Sequence, residues 1–250
     1  MPPVVSNRRS DSAVANQSPL GRGASLPTRL RGWLGRYFYF FMSLLIAAVV
    51  VYGFGQTVNT KLIHPGHPTP FLLWIHATIF SAWVVFYIVQ SALIRTRNVR
   101  IHRLIGGWIG VPLGVAIPIL GISTAVIMRR FDLQYPDLAR TAPLLRTALL
   151  DISSFTIPFA LAIYWRKKPE FHRRLILIAT CGLTAAAFVR FPVAFHPWPW
   201  YYVGVDLLIS LGVLRDLIVI RRVHPVYRWA LPTFMVAQFL VMSTVLHLWS

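Results

Sequence analysis

The sequence predicts an all-α integral membrane protein, a seven-transmembrane-helix bundle with its N-terminus cytoplasmic and its C-terminus outside. Seven long apolar stretches run from about Tyr37 to Trp249, and basic residues fall almost entirely in every second gap between them. Of 250 residues, 56% are apolar and only 13% charged, where a soluble domain carries about a quarter charged. Crossing a hydrocarbon core of about 30 Å takes roughly 20 residues of helix. Backbone groups in lipid must bond within their own segment, which favours helices, and the alternation of a β-barrel strand is absent.

Taken in order, the expected spans are roughly 37–56, 71–94, 104–128, 148–165, 174–191, 200–220 and 229–249. The fourth is the most dilute, through Asp151, Ser153, Ser154, Thr156 and Pro158. The chain therefore divides into a basic, mostly disordered cytoplasmic tail at 1–36 and a transmembrane domain at 37–250. The tail is rich in Ser, Pro, Gly, Asn and Arg and has no apolar period to bury. Arg8-Arg9 is followed by polar residues and no clear small-residue cleavage site precedes span one, so that span is expected to be an uncleaved anchor.

Orientation follows from Lys and Arg. The tail and the gaps after spans two, four and six hold 19 of the 25. Positive charge near helix ends stays cytoplasmic, which sets the N-terminus inside. The same distribution accounts for the net charge of +18 without a nucleic-acid partner. Cys181 is the lone cysteine, which excludes an internal disulfide and Cys-x-x-Cys metal or haem attachment.

Each inner gap carries basic residues and a histidine at the start of the next helix: Arg100-Ile101-His102-Arg103, His172-Arg173-Arg174, and Arg222-Val223-His224-Pro225. Basic groups there oppose the helix macrodipole, at a few tenths of a kcal/mol each. Topology and contact with anionic lipid headgroups, worth about 1 kcal/mol per residue, offset that cost. The sharper alternative is that His102, His172 and His224 converge on a phosphate or a metal.

Gly106, Gly110 and Gly114 make a small-residue face in span three, suited to close packing within the protein or with a partner helix, and Gly182 with Ala186 makes a weaker one. Polar residues at membrane depth say more, because a charge near the bilayer centre costs at least about 2.5 kcal/mol. His76, Phe80, Trp83, Tyr87 and Gln90 form one stripe on span two. With Asp151, Arg190, Asp206 and His247, His76 shares the outer third of the bilayer, one ionisable residue from each of five helices.

Several chemistries suit this cluster. Neutral imidazoles from His76 and His247 are candidate axial ligands of a b-type haem, with Arg190 pairing a propionate. Asp151, Asp206 and Arg190 lining a bundle interior also suit proton or small-solute transport. His64, His67 and His196 are a weaker candidate for a copper site in the outer loops. Arg190 bound to Asp151 or Asp206 as a structural ion pair is the plainest reading, and a non-catalytic assembly or scaffold protein is the remaining one. Phosphate-binding loops, nucleophile elbows, H-E-x-x-H and dinucleotide fingerprints are missing.

The motif Leu72-Leu73-Trp74-Ile75-His76, then Trp83, Gln90 and Arg100-Ile101-His102-Arg103-Leu104-Ile105-Gly106, resembles a family of bacterial inner-membrane proteins of unassigned activity. The resemblance continues through His172-Arg173-Arg174-Leu175, Phe188-Val189-Arg190-Phe191-Pro192, Asp216 and Arg222-Val223-His224-Pro225. It implies the fold and a bacterial inner-membrane location. The His-Arg turn is also distantly similar to that of haem-binding helical membrane proteins.

Overall fold

A computed structural model describes residues 26–135, 137, 145–192 and 201–246, and forms helices and short connections with no strand among them. Seven long helices result: α1 Leu26–Gly55, α2 Leu72–Arg95, α3 Val99–Gln134, α4 Leu145–Tyr164, α5 Pro169–Phe188, α6 Tyr202–Ile220 and α7 Pro225–Leu246. The described part of each expected span lies, to within a few residues, on one of them. Helices α1 to α5 are long and apolar enough to cross a membrane. Helix α4 is one of these five, despite its polar residues. Helix α6 is set apart by Asp206, Arg215 and Asp216.

Two boundaries differ in an informative way. Helix α1 starts at Leu26, well ahead of the expected Tyr37, and Arg31 donates to the carbonyls of Ile218 (2.9 Å) and Val219 (3.4 Å). Those oxygens belong to the last turn of α6, where a cation is favoured and helix carbonyls lack partners. In α3 the stretch Gly106–Gly110 widens to a π-turn just before Pro112. Proline has no N–H to donate and its ring crowds the preceding turn, which the wider turn relieves.

Contacts between helix ends show that the helices alternate in direction. At one end Tyr37 of α1 lies under Arg95 of α2, Arg174 of α5 meets Asp216 of α6, and Phe171 of α5 meets His224 before α7. At the other end Arg190, just after α5, reaches Thr57 past α1, Tyr202 of α6 reaches Asp151 of α4, and Arg146 of α4 reaches the Thr244 carbonyl of α7. The first is here termed the basic end, since its short turns carry Arg97, Arg166, Lys167, Lys168, Arg221 and Arg222.

Helix α5 is the centre. Of its apolar stretch 61% is buried inside the protein, against 11–28% in α1 to α4. Small residues make this possible. A Cβ added at Gly182 would sit 2.8 Å from the Ser154 carbonyl oxygen of α4, and one at Gly53 2.4 Å from that of Ala187. These are the close backbone approaches. The glycine face of α3 works differently: a Cβ at Gly110 would strike the Phe86 ring and one at Gly114 the Phe159 ring, while Gly106 and Gly107 leave room for one. Trp83 of α2 closes the layer, packing edge-on to Phe155 and Phe159 and donating to Thr180 of α5 at 3.3 Å.

The strongest polar contact in the core is one the sequence reading overlooked. Arg174 donates from Nε to Asp216 Oδ2 (2.8 Å) and from Nη2 to Oδ1 (2.7 Å), and both side chains are 0% exposed. Arg174 and Arg215 thus act as buried helix residues as well as topological signals. Removing one partner leaves an uncompensated buried charge, whereas removing Arg174, Arg215 and Asp216 together does not. Asp216→Asn is expected to lose about 3–5 kcal/mol, read by thermal unfolding in detergent. Arg174→Met and Arg215→Met combined with Asp216→Leu, which removes all three buried charges, should recover part of that loss, and a triple variant less stable than Asp216→Asn would contradict this account.

Candidate functional site

Asp151, Arg190 and Asp206 lie at the end of the bundle away from the basic turns. Asp151 stands in the second turn of α4, where α6 begins opposite it. There the Tyr202 hydroxyl donates to Asp151 Oδ1 at 2.7 Å. Asp206 lies one turn further along α6 and accepts from the Gln238 amide of α7 at 3.3 Å. Both carboxylates are half-buried, and among the described residues neither has a cation within 4 Å.

Arg190 is held by neutral groups instead. Its Nε donates to Thr57 Oγ1 (3.2 Å), Nη1 donates to the Ala186 carbonyl, and its guanidinium lies 4.4 Å from the centre of the Phe54 ring. Its charge acts at a distance on Asp151 and on His76. The expected ion pair between Arg190 and either aspartate is not formed; fixed acceptors on α1 and α5 take the guanidinium.

His76 of α2 stacks on Phe80 with ring centroids 4.0 Å apart, and among the described residues its buried Nδ1 has no hydrogen-bond partner. Of the stripe that carries it, Trp83, Tyr87 and Gln90 are buried, so the spacing identified the inward face of α2. His247 lies outside the described residues, as does His196. Helix α7, which leads to His247, packs mainly on α4, α5 and α6, while α2 packs mainly on α1 and α3.

The other histidines divide. His64 Nδ1 lies 2.9 Å from Asn59 Oδ1, while His67 stacks on Tyr135 and bonds Asp137 at 3.1 Å, so the two face different partners. At the basic end His102 and His172 approach with ring centroids 6.4 Å apart, and His172 Nδ1 donates to the Ala162 carbonyl at 2.9 Å. His224 turns away to Phe171 and accepts the Val226 N–H at 3.3 Å. Burial, then the nearby Arg174 guanidinium, holds the His224 imidazole below the usual histidine range. Among the described residues no three histidine, cysteine or acidic side chains gather as a metal site.

Sequence reasoning missed Thr57 and Gln238. The signal for Gln238 was available, as an amide inside an apolar span; Thr57 sits where α1 ends and had none. No protein-family model, no curated protein and no solved structure matches this chain.

Tyr202→Phe deletes the hydrogen bond to Asp151 and keeps the ring. A loss of about 1 kcal/mol is expected, the scale of polar contacts between helices in lipid, measured by unfolding in bicelles. Stability unchanged within error would mean that the hydroxyl does not hold the carboxylate.

Proposed function

We propose that this chain is a seven-span protein of a bacterial cytoplasmic membrane, with its N-terminus inside and its basic end at the anionic inner leaflet, and that it passes protons or a small solute through the cluster of Asp151, Tyr202, Arg190, His76 and Asp206. Membership of the family that its His76 and His-Arg turn motifs resemble accords with that location. One observation carries the reading: Asp151 and Asp206 are half-buried carboxylates whose hydrogen bonds come from a hydroxyl and an amide, with no cation within 4 Å among the described residues. A carboxylate at membrane depth is costly, and where structure alone is served it is paired. Asp216 at the basic end is such a case.

The chemistry follows from what each group can exchange. An ionised Asp151 accepts a proton or a cation while Tyr202 holds its other valence in place. Arg190, anchored to neutral oxygens, supplies a fixed positive charge that an anionic or dipolar solute also meets. His76 Nδ1, without a partner, is free to take or give a proton. Together these groups form a set of exchangeable sites rather than a closed network. In proteoliposomes with a pH-sensitive dye inside, a proton or solute flux is expected that Asp151→Asn cuts at least about 10-fold, the scale of losing about 1.4 kcal/mol of barrier lowering. No flux from the folded native protein, or an equal flux from the variant, would defeat the proposal.

His76 supports a second reading. A buried imidazole nitrogen without a partner, on a ring stacked flat against Phe80, suits an axial ligand of a b-type haem. His247 would be the second ligand and Arg190 the propionate partner, and the group would supply one-electron redox chemistry. It ranks behind transport because α2 and α7 have different principal neighbours. Visible spectra of detergent-purified protein, oxidised and dithionite-reduced, test it directly. A Soret band lost in both His76→Ala and His247→Ala would support it, and a featureless spectrum from folded protein would retire it.

A further inference from the structure

The basic end contains more positive charge and more hydrogen-bond donors than its own acceptors satisfy. Arg174 is nearly saturated: it donates to both oxygens of Asp216, and through Nη1 to the Glu170 carbonyl and Glu170 Oε2, each at 2.7 Å. Its neighbour Arg215 is not. Only 3% of that side chain is exposed, yet its one acceptor among the described residues is Asp216 Oδ1 at 2.9 Å, an oxygen that Arg174 already uses. A guanidinium carries five N–H donors, and the Nε of Arg215 is buried without a partner.

Arg173 repeats the pattern nearer the surface. It gives Nη2 to Glu170 Oε2 at 2.5 Å and leaves a buried Nε without a partner. Both spare guanidinium groups flank Tyr39 of α1, with Cζ atoms 5.3 Å (Arg173) and 5.5 Å (Arg215) from its ring centre. The Tyr39 hydroxyl is buried and has no partner. The same is true of Tyr227, whose hydroxyl fits because residue 212 is glycine: a Cβ there would lie 2.3 Å from it. The two phenols stand within electrostatic reach of each other and of Asp216.

The charges do not balance. Arg173, Arg174 and Arg215 face Glu170 and Asp216, an excess of one positive charge in a largely buried cluster. Leaving donors unmet in an apolar interior is expensive, and a water molecule would meet the donors without meeting the charge. A group that accepts several hydrogen bonds and carries about one negative charge meets both.

We infer that Arg215, Arg173 and Tyr39, with Tyr227 behind them, form an oxyanion site at the basic end that takes a phosphate group. The unsatisfied guanidinium nitrogens there can only donate and the two phenols can donate beside them, which selects an oxyanion over a cation. Guanidinium groups match tetrahedral phosphate oxygens in pairs. A phosphodiester carries the single charge the cluster lacks. Arg173, with 32% of its side chain exposed, forms the mouth, and Glu170 at 53% exposure stands beside it. The site lies at the end of the bundle remote from Asp151 and Asp206, and it does not depend on what those residues do. The phosphate belongs either to a lipid headgroup or to a soluble phosphate, and the shared chemistry is the same.

The test uses full-length protein in detergent and reads the unfolding temperature, since a ligand that binds only the folded state raises it. Three additions are compared: phosphatidylglycerol, phosphatidylcholine, and inorganic phosphate against chloride at equal ionic strength. The expected result is a rise with phosphatidylglycerol or with phosphate that exceeds its control and falls by at least half in Arg173→Gln and in Tyr39→Phe. Lys167→Gln, an exposed charge in the same turn, should keep the full rise. A rise with the lipid alone identifies a headgroup as the source, and a rise with phosphate identifies the soluble anion. Arg215→Gln should abolish the effect where it folds; Arg173→Gln and Tyr39→Phe decide the matter where it does not. No rise over either control, or a rise equal in native protein and both variants, overturns the site and leaves water as the solvent of these donors.

Discussion

Arg174 and Asp216 set the basic end of the bundle, and the other helices are arranged around that pair. Two parallel hydrogen bonds join the first turns of α5 to the last turns of α6, with both side chains out of reach of solvent. Such a pair tolerates little displacement, because its attraction offsets the desolvation of both charges only when the geometry is close. The neighbours follow from it. Arg31 brings α1 onto the terminal carbonyls of α6, and Tyr39 of α1 is flanked by Arg173 and Arg215. Phe171 of α5 carries the His224 turn and thereby the start of α7. Helix α5 then runs through the middle of the protein because Gly182 and its small neighbours let α4 approach its backbone.

Hydropathy alone made the helices legible, since a span is defined by length and apolarity, both of which are properties of the chain in isolation. Which face of α2 is buried was legible too: Trp83, Tyr87 and Gln90 recur at helical spacing and all three are buried. Partners were not legible. Periodicity gives the azimuth of a residue on its own helix and says nothing about which helix stands opposite. Arg190 could be placed near the end of its helix, yet its acceptors proved to be Thr57 and a backbone carbonyl. Arg174 illustrates a second failure. A basic residue beside a turn is already explained by topology, so no reason remained to seek a partner for it. The available signal was Asp216, an acidic residue set in an apolar helix beside a basic gap.

The glycines teach the same lesson in packing terms. The motif Gly106, Gly110, Gly114 predicted backbone contact, and the structure sets aromatic rings against the last two. The backbone contacts arise at Gly53 and Gly182. A missing side chain permits close approach without specifying what approaches, and a bundle rich in Phe and Trp fills the space with rings.

The two ends of the bundle put one physical problem to two different uses. Both place ionisable side chains inside an apolar helical bundle, where burying a charge is costly. At the basic end that cost is met inside the chain for Arg174 and Asp216, whose every strong valence is used. At the opposite end Asp151, Asp206 and Arg190 are each held by neutral partners, with their charges kept apart. Separation is the more expensive arrangement, since a direct Arg–Asp contact would use the same residues at lower cost. The chain forms such a contact elsewhere, so its absence here reflects how α1, α4, α5 and α6 position these side chains. Charges kept apart are available to a third party, and that availability distinguishes a site from a strut.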